Sequence, residues 1–270
     1  MKKASIMGAI AGDTIGSIYE FDPTKDYSFP IPDERMEFTD DSIMTIAVAD
    51  WILNSHSLSH SDLAKTMRYW GSKYRFPMGG YGGMFTAWLY REEMGAYNSW
   101  GNGSAMRVSP VGFAFDTLEE TLRVAKVSAE ITHNHPEGIK GAQAVAAAIF
   151  LARSGKSKPF IKEYITAEFG YDLNRSCEEI RKTYQFEDSC QETVPQALIA
   201  FLESTDYEDA IRQTISLGGD ADTMGAITGA VAAAYYKEIP DYLYDFAISK
   251  IPDDLRNILE VFEQKMIEII

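Results

Sequence analysis

The sequence predicts an all-α protein built from many short-to-medium helices around one core. Apolar residues recur at helical spacing through most of the 270 residues. Alternating runs of strand length are scarce, and proline and glycine gather in a few stretches between the periodic segments. With 46% hydrophobic and 24% charged residues, the balance is that of a globular chain rather than a disordered one. Without an internal repeat, a low-complexity tract or a boundary in composition, residues 1–270 read as one domain.

The N-terminal MKKASIMGAIAGDTIGS places two lysines ahead of an apolar run, as a targeting segment would. Gly12, Asp13 and Thr14 interrupt that run, and it reads as a first buried helix. Residues 21–38 contain three prolines and form a long connection, a kind of loop that often carries function. Ile43, Met44, Ala47, Val48, Trp51 and Ile52 mark one face of a helix over 40–53. Stretches 75–83 and 97–104 are glycine-containing loops. Thr117 opens a further helix with Glu120 as its capping-box partner, followed by Leu118, Leu122, Ala125 and Ala129 at helical spacing. The alanine-rich residues 138–153 read as a central buried helix, and 206–217, 223–237 and 253–270 as further helices. The last is capped by Asp253 and Asp254 after Pro252. The polar stretch 171–192, with both cysteines, reads as a helical excursion on the surface.

Charge narrows the partners. Lys and Arg number 25 against 40 Asp and Glu, a formal net charge of −15. Such a surface repels nucleic-acid backbones and anionic membranes, and no apolar run approaches the roughly 20 residues of a membrane span. The expectation is a soluble, cytoplasmic, monomeric protein with no general nucleic-acid or membrane partner. An anionic ligand would need local positive charge, such as bound metal ions. Cys177 and Cys190 are too few for a disulfide scaffold or a four-cysteine zinc site, and are expected to be reduced and inert. Four histidines do not favour a histidine-built metal centre.

Two acidic clusters stand at helix starts: FTDDS (38–42) and GGDADT (218–223). Capping and the helix dipole account for one acid at each. They account less well for two acids beside a threonine against apolar helices, because close carboxylates repel unless something neutralises them. A hard divalent cation would do so with oxygen ligands alone. Weaker signals are the glycine loops GNGSAM (101–106) and GGYGG (79–83), either turns or anion cradles. His133 and His135 read as a helix C-terminus or as a ligand contact. Glu20 reads as an exposed helix end or a catalytic carboxylate. Asp13 is expected to bond a neighbouring backbone, and Arg107 to be a buried partner of a carboxylate. Trp100 is either simple packing or a stacking platform for a base.

In order along the chain, GAIAGDTIGSIYEF, FTDDSIMTIAVADWIL, GGYGGMF, NSWGNGSAMRVSPVG, ITHNHPEGIKGA and SLGGDADTMGAITGAVAAA closely resemble the ADP-ribosylglycohydrolase family, from residue 4 to about residue 236. The resemblance implies an all-α orthogonal bundle with a two-metal cleft. It also implies hydrolysis of the bond between the terminal ribose of ADP-ribose and an acceptor on a protein or other conjugate. It implies two divalent cations, Mg²⁺ or Mn²⁺, held by Thr39, Asp40 and Asp41 and by Asp220, Asp222 and Thr223. Glu20 would lie near the metals and the scissile bond, forming with Asp41 and Asp222 the catalytic set. Ser99, Trp100, Gly101 and Asn102 would form the phosphate and ribose loop, with Trp100 against the adenine. His133 would contact the ligand, and Gly80 and Gly82 would approach it. The pyrophosphate would rest on backbone N–H groups, which bind anions without a basic surface.

The resemblance leaves the general base open, and the acceptor as well: arginine, serine, a modified base or a free conjugate. Selectivity is expected from residues 21–38, which follow Glu20. A non-catalytic ADP-ribose-binding module is opposed by the retention of every metal position. A hydrolase of another nucleotide or phosphoester is opposed by Ser99, Gly101, Asn102 and His133. A purely structural helical protein has no need of six ordered polar motifs.

Overall fold

A computed structural model describes residues 1–267. The chain is a helical bundle, and among the described residues the only strands are the two-residue β1 (Lys2–Lys3) and β2 (Glu238–Ile239), paired antiparallel. The helices run α1 (Met7–Gly16), α2 (Asp40–Asn54), α3 (His60–Lys73), α4 (Gly83–Tyr90), α5 (Gly103–Met106), α6 (Ser109–Ala114), α7 (Leu118–Glu130) and α8 (Pro136–Arg153). They continue through α9 (Lys158–Phe169), α10 (Cys177–Arg181), α11 (Cys190–Glu203), α12 (Tyr207–Ile215), α13 (Ala221–Tyr236), α14 (Asp241–Lys250) and α15 (Asp253–Ile267). Every helix read from periodicity is present within a few residues of its expected bounds. Residues 268–270 of the last lie outside the described residues.

The centre of the molecule is α13, buried from Ala221 to Ala234 and surrounded by α1, α8, α11 and α12. It is built mostly of small side chains, and α8 contributes six alanines and two glycines, so neighbouring helix backbones approach closely and little side-chain entropy is lost on packing. The tightest contact is α1 on α13. A Cβ on Gly12 would lie 2.0 Å from the carbonyl oxygen of Gly225, and one on Gly225 would lie 2.3 Å from that of Gly12. Gly8 and Gly16 extend the same stripe against Gly229 and Ala221. The stripe sends the C-terminal end of α1, followed by Glu20, to the N-terminal end of α13, which carries Asp220 and Asp222.

α1 has no side-chain cap of its own. Glu263 of α15 supplies one from across the molecule, its buried carboxylate accepting from Ser5 N–H at 3.0 and 2.9 Å, from Ser5 Oγ at 2.7 Å and from Met7 N–H at 2.9 Å. Those donors oppose the desolvation that still holds Glu263 above the usual carboxylate range.

Several local expectations are corrected. Thr117 Oγ1 accepts from Glu120 N–H, but the Glu120 carboxylate turns to Arg123, so the capping box is half-formed. The complete box is at α10, between Ser176 and Glu179. Residues 171–192 are not a surface excursion throughout: Tyr171, Leu173, Cys177, Ile180, Tyr184 and Cys190 are buried in the core. Both cysteines are free thiols, as expected. His133 and His135 do not support a helix C-terminus by charge. His135 caps the start of α8 by accepting from Glu137 N–H, and burial, reinforced by Arg107, keeps His133 neutral. No described helix is long and apolar enough to cross a membrane.

Candidate active site

A cavity of about 550 Å³ opens where the N-terminal ends of α2, α4, α5 and α13 converge. Glu20, Asp40, Asp41, Asp220, Asp222 and Thr223 line it, so the two acidic clusters, about 180 residues apart in sequence, meet in space. One oxygen each from Glu20, Asp220 and Asp222 lies within 4.8 Å of the others. Thr39 is the exception: it caps α2, donating from Oγ1 to Asp13 at 2.7 Å and accepting from Asp41 N–H at 3.2 Å, and it stands behind the cavity wall.

Asp13 explains how α2 is aimed. Its fully buried carboxylate accepts from the N–H groups of Thr39 and Ser42, both at 3.1 Å, and from both their hydroxyls. The expected backbone bond exists, but to a backbone 26 and 29 residues further along. This anchor fixes the first turn of α2, so Asp40 and Asp41 face the cavity.

The cavity acids lack such support. Asp41 Oδ1 and Glu20 Oε2 are buried with no hydrogen-bond partner. Burial, and then the surrounding carboxylates, hold Asp40, Asp41 and Asp222 well above the usual range. Burial, then Asp222 and Asp13, push Glu20 up to about 8. Asp220 is pushed to about 6 by burial, against the bonds it receives from Asp222 and Asn102. An all-oxygen donor set with orphaned carboxylate oxygens fits a hard divalent cation, which would replace the missing donors and the missing positive charge. Asp40, Asp41, Asp220, Asp222 and Thr223 are the residues placed to hold one. Thr223 Oγ1 has only a thioether contact to Met106, at 3.9 Å.

The 99–102 loop differs from a backbone cradle. The Gly101 N–H is taken by Ser99 Oγ at 3.1 Å and the Asn102 N–H by the Asp188 carbonyl at 2.7 Å. The Asn102 amide donates to Asp220 Oδ2 at 2.7 Å and Thr193 Oγ1 at 3.1 Å, so its visible role is to orient a carboxylate. Ser99, Gly101 and Asn102 line the cavity, whereas Trp100 is 53% exposed, outside its lining and edge-on to His135. Gly80 and Gly82 line it too, with open space where their Cβ atoms would be. Gly79 is the more constrained glycine: it has φ +75°, and a Cβ there would sit 2.4 Å from Glu20 Oε2.

Arg107 is buried without a carboxylate, contrary to expectation. It donates to the Ser128 carbonyl at 3.0 Å and to Thr132 Oγ1 at 2.8 Å, and burial lowers it to about 10. Because Thr132 Oγ1 accepts from Arg107, its proton is free for His133 Nδ1 at 2.7 Å. With that proton on the bond to Nδ1, His133 is the Nε2–H tautomer, its Nε2 beside the Gly101–Gly103 turn. Arg107 and Thr132 were absent from the predicted site residues; Arg107 adjoining the GNGSAM loop and Thr132 preceding His133 were the available signals. Phe21 and Phe186, also cavity-lining, left no periodic or motif signal beyond Phe21 following Glu20.

Comparison with known proteins agrees with this geometry. The chain is 25% identical over 97% of its length to ADP-ribosylhydrolase ARH3 of Mus musculus, matching 88% of that protein. It is 26% identical over 87% of its length to ADP-ribosylarginine hydrolase Tri1 of Pseudomonas putida, matching 70% of that protein. A solved structure described as an ADP-ribosylglycohydrolase-related protein complex superposes with a TM-score of 0.75 at 24% identity, over 98% of this chain and 95% of its own. The ADP-ribosylglycohydrolase family model matches residues 3–265, and with the fold and the convergent acidic motifs this places the chain in the ADP-ribosylglycohydrolase family.

Proposed function

We propose that the protein hydrolyses the glycosidic bond between the terminal ribose of ADP-ribose and an acceptor group, with two divalent cations in the acidic cleft. The observation that carries this reading is the convergence of orphaned carboxylate oxygens, Asp41 Oδ1 and Glu20 Oε2, with Asp220 and Asp222. When bound, Mg²⁺ or Mn²⁺ would supply positive charge, grip the neighbouring ribose hydroxyls and make water more acidic. Asp40, Asp41, Asp220, Asp222 and Thr223 hold the cations, and Asp13 and Asn102 hold those ligands in place. Glu20 lies beside this cluster, with an oxygen within 4.8 Å of those of Asp220 and Asp222. Its carboxylate takes the proton from the attacking water, or orients that water, as the bond from water oxygen to ribose C1″ forms and the bond to the acceptor breaks. The acceptor leaves carrying the proton that the water gave up. His133, neutral and fixed by Thr132, donates from Nε2 to a ligand oxygen at the glycine turn, and Ser99 offers its hydroxyl.

Release of acceptor from ADP-ribosylated peptides is the test. Turnover is expected with Mg²⁺ or Mn²⁺, loss with a chelator, and recovery when the cation returns. Turnover unchanged by thorough chelation would overturn the metal-dependent reading. Tight binding of ADP-ribose without acceptor release would show a binding module instead.

A further inference from the structure

Two aromatic rings at the cavity mouth are not used by the reaction described above. Phe21 is 71% exposed and Phe186 44% exposed, yet both line the cavity and stack on each other, centroids 6.1 Å apart and planes 28° apart. Neither segment is loose. Lys25 Nζ donates to the carbonyls of Tyr184 and Leu217, tying the loop that bears Phe21 to the segment that bears Phe186. On the other side the Asp188 carbonyl accepts from Asn102 N–H, joining the Phe186 segment to the residue that orients Asp220. Two large apolar side chains are thus held in water at a fixed spacing, which costs burial and signals a ligand surface.

Position and charge say which part of a ligand they meet. Phe21 is the neighbour of Glu20, beside the acidic cluster where the scissile bond would sit, whereas Trp100 and His135 pack edge-on outside the cavity lining. The rings are flanked by acids: Asp22 follows Phe21, and Glu187 and Asp188 follow Phe186, all exposed, with Asp188 itself on the cavity. An aromatic face in an acidic cavity suits a planar, weakly hydrated cation, which stacks on the ring and meets the negative field together. It offers little to a short neutral side chain.

We propose that Phe21 and Phe186 form the acceptor subsite and select a guanidinium acceptor over a small hydroxyl-derived one. This rests on the hydrolase reading above and names its acceptor class.

The test uses the whole chain with Mg²⁺, and two peptides of otherwise equal sequence, one ADP-ribosylated on arginine and one on serine. The wild type is expected to prefer the arginine conjugate in kcat/KM. Phe21→Ala and Phe186→Ala are each expected to lower that value about tenfold. The serine conjugate and the Kd for free ADP-ribose should move less than about twofold, and Phe186→Trp should retain the preference. Equal losses on both conjugates would overturn the proposal. So would a parallel weakening of ADP-ribose binding, which would assign the rings to the adenine. Preference of the wild type for the serine conjugate would overturn the acceptor assignment and leave the hydrolase reading standing; turnover of neither conjugate would overturn both.

Discussion

Asp13 of α1 and Asp41 of α2 are buried aspartates that both lie at the N-terminal end of α2, and they are solved in opposite ways. Asp13 sits under the first turn of α2 with four donors on its oxygens. Asp41, in that turn, leaves Oδ1 buried and bare, as Glu20 leaves Oε2. Glu263 at the start of α1 repeats the Asp13 solution. A buried carboxylate surrounded by N–H and O–H groups is part of the scaffold. One surrounded by other carboxylates is destabilising on its own and implies a partner from outside the chain. Substitutions on the two sides should therefore differ in sign as well as size.

The largest expected effect is on the cavity side. Asp222→Asn and Asp41→Asn should each lower turnover by more than about 100-fold, since even residues that merely support a metal ligand cost up to that factor. Thermal unfolding of the cation-free protein should be unchanged or shifted upward, because a neutral amide replaces a buried acid whose ionisation its surroundings oppose. If either variant lost activity and also unfolded well below the wild type, the distinction between the two classes of acid would fail.

Asp13→Ala should do the reverse. Removing the anchor strands the N–H groups of Thr39 and Ser42 and their hydroxyls. The expected cost is about 3 kcal/mol in denaturant unfolding, with loss of activity following from the displaced α2. Glu263→Gln should cost less, about 1.5 kcal/mol, because the amide oxygen still accepts and only the charge assistance is lost. It lies far along the chain from the cavity motifs, so kcat per folded molecule should stay within about twofold. A larger drop would mean that the start of α1 communicates with Glu20.

The same contrast sets what the sequence could disclose. Helices were legible because their signals are local: α7 and α12 each present one apolar face, whereas α8 and α13 declare themselves by continuous runs of alanine and other apolar residues. The cavity acids were legible as types, since two acids and a threonine at a helix start exceed what capping needs. Their meeting was not local: it depends on Gly8, Gly12 and Gly16 lying against Gly229, Gly225 and Ala221, a stripe that has meaning only when both helices are seen together. Long-range partners were hidden for the same reason. Nothing beside Asp13 in sequence points to Ser42, and nothing beside Arg107 points to Thr132. Residues 171–192 misled because the polar residues among them dominate the composition, although Leu173, Cys177, Ile180 and Tyr184 recur at helical spacing and are buried.

The smallest expected effect sharpens the comparison without a mutation. Asp220 and Glu20 titrate near 6 and 8 in the folded chain, raised by burial above ordinary values near 4. A raised carboxyl pKa means the folded state holds its proton more tightly than the unfolded state. The resulting stability is fully present below about pH 4 and is lost as pH rises through the folded values. The cation-free protein should thus lose stability between about pH 4 and pH 8. A divalent cation binds the deprotonated cluster, so the increase in Tm that saturating Mg²⁺ produces should be greater at pH 8 than at pH 5. Glu20 is half-exposed and water screens it, so the difference is smaller than the displacement of its titration alone implies. About 3 °C, roughly 1 kcal/mol in a chain of this size, is the expected magnitude. In Asp222→Asn the difference should shrink, because one of the coupled charges is gone, while in Glu263→Gln it should persist. An equal Mg²⁺-induced increase at both pH values would mean that the cavity acids are already ionised in the empty site, and that their mutual repulsion is relieved by some means other than a bound ion.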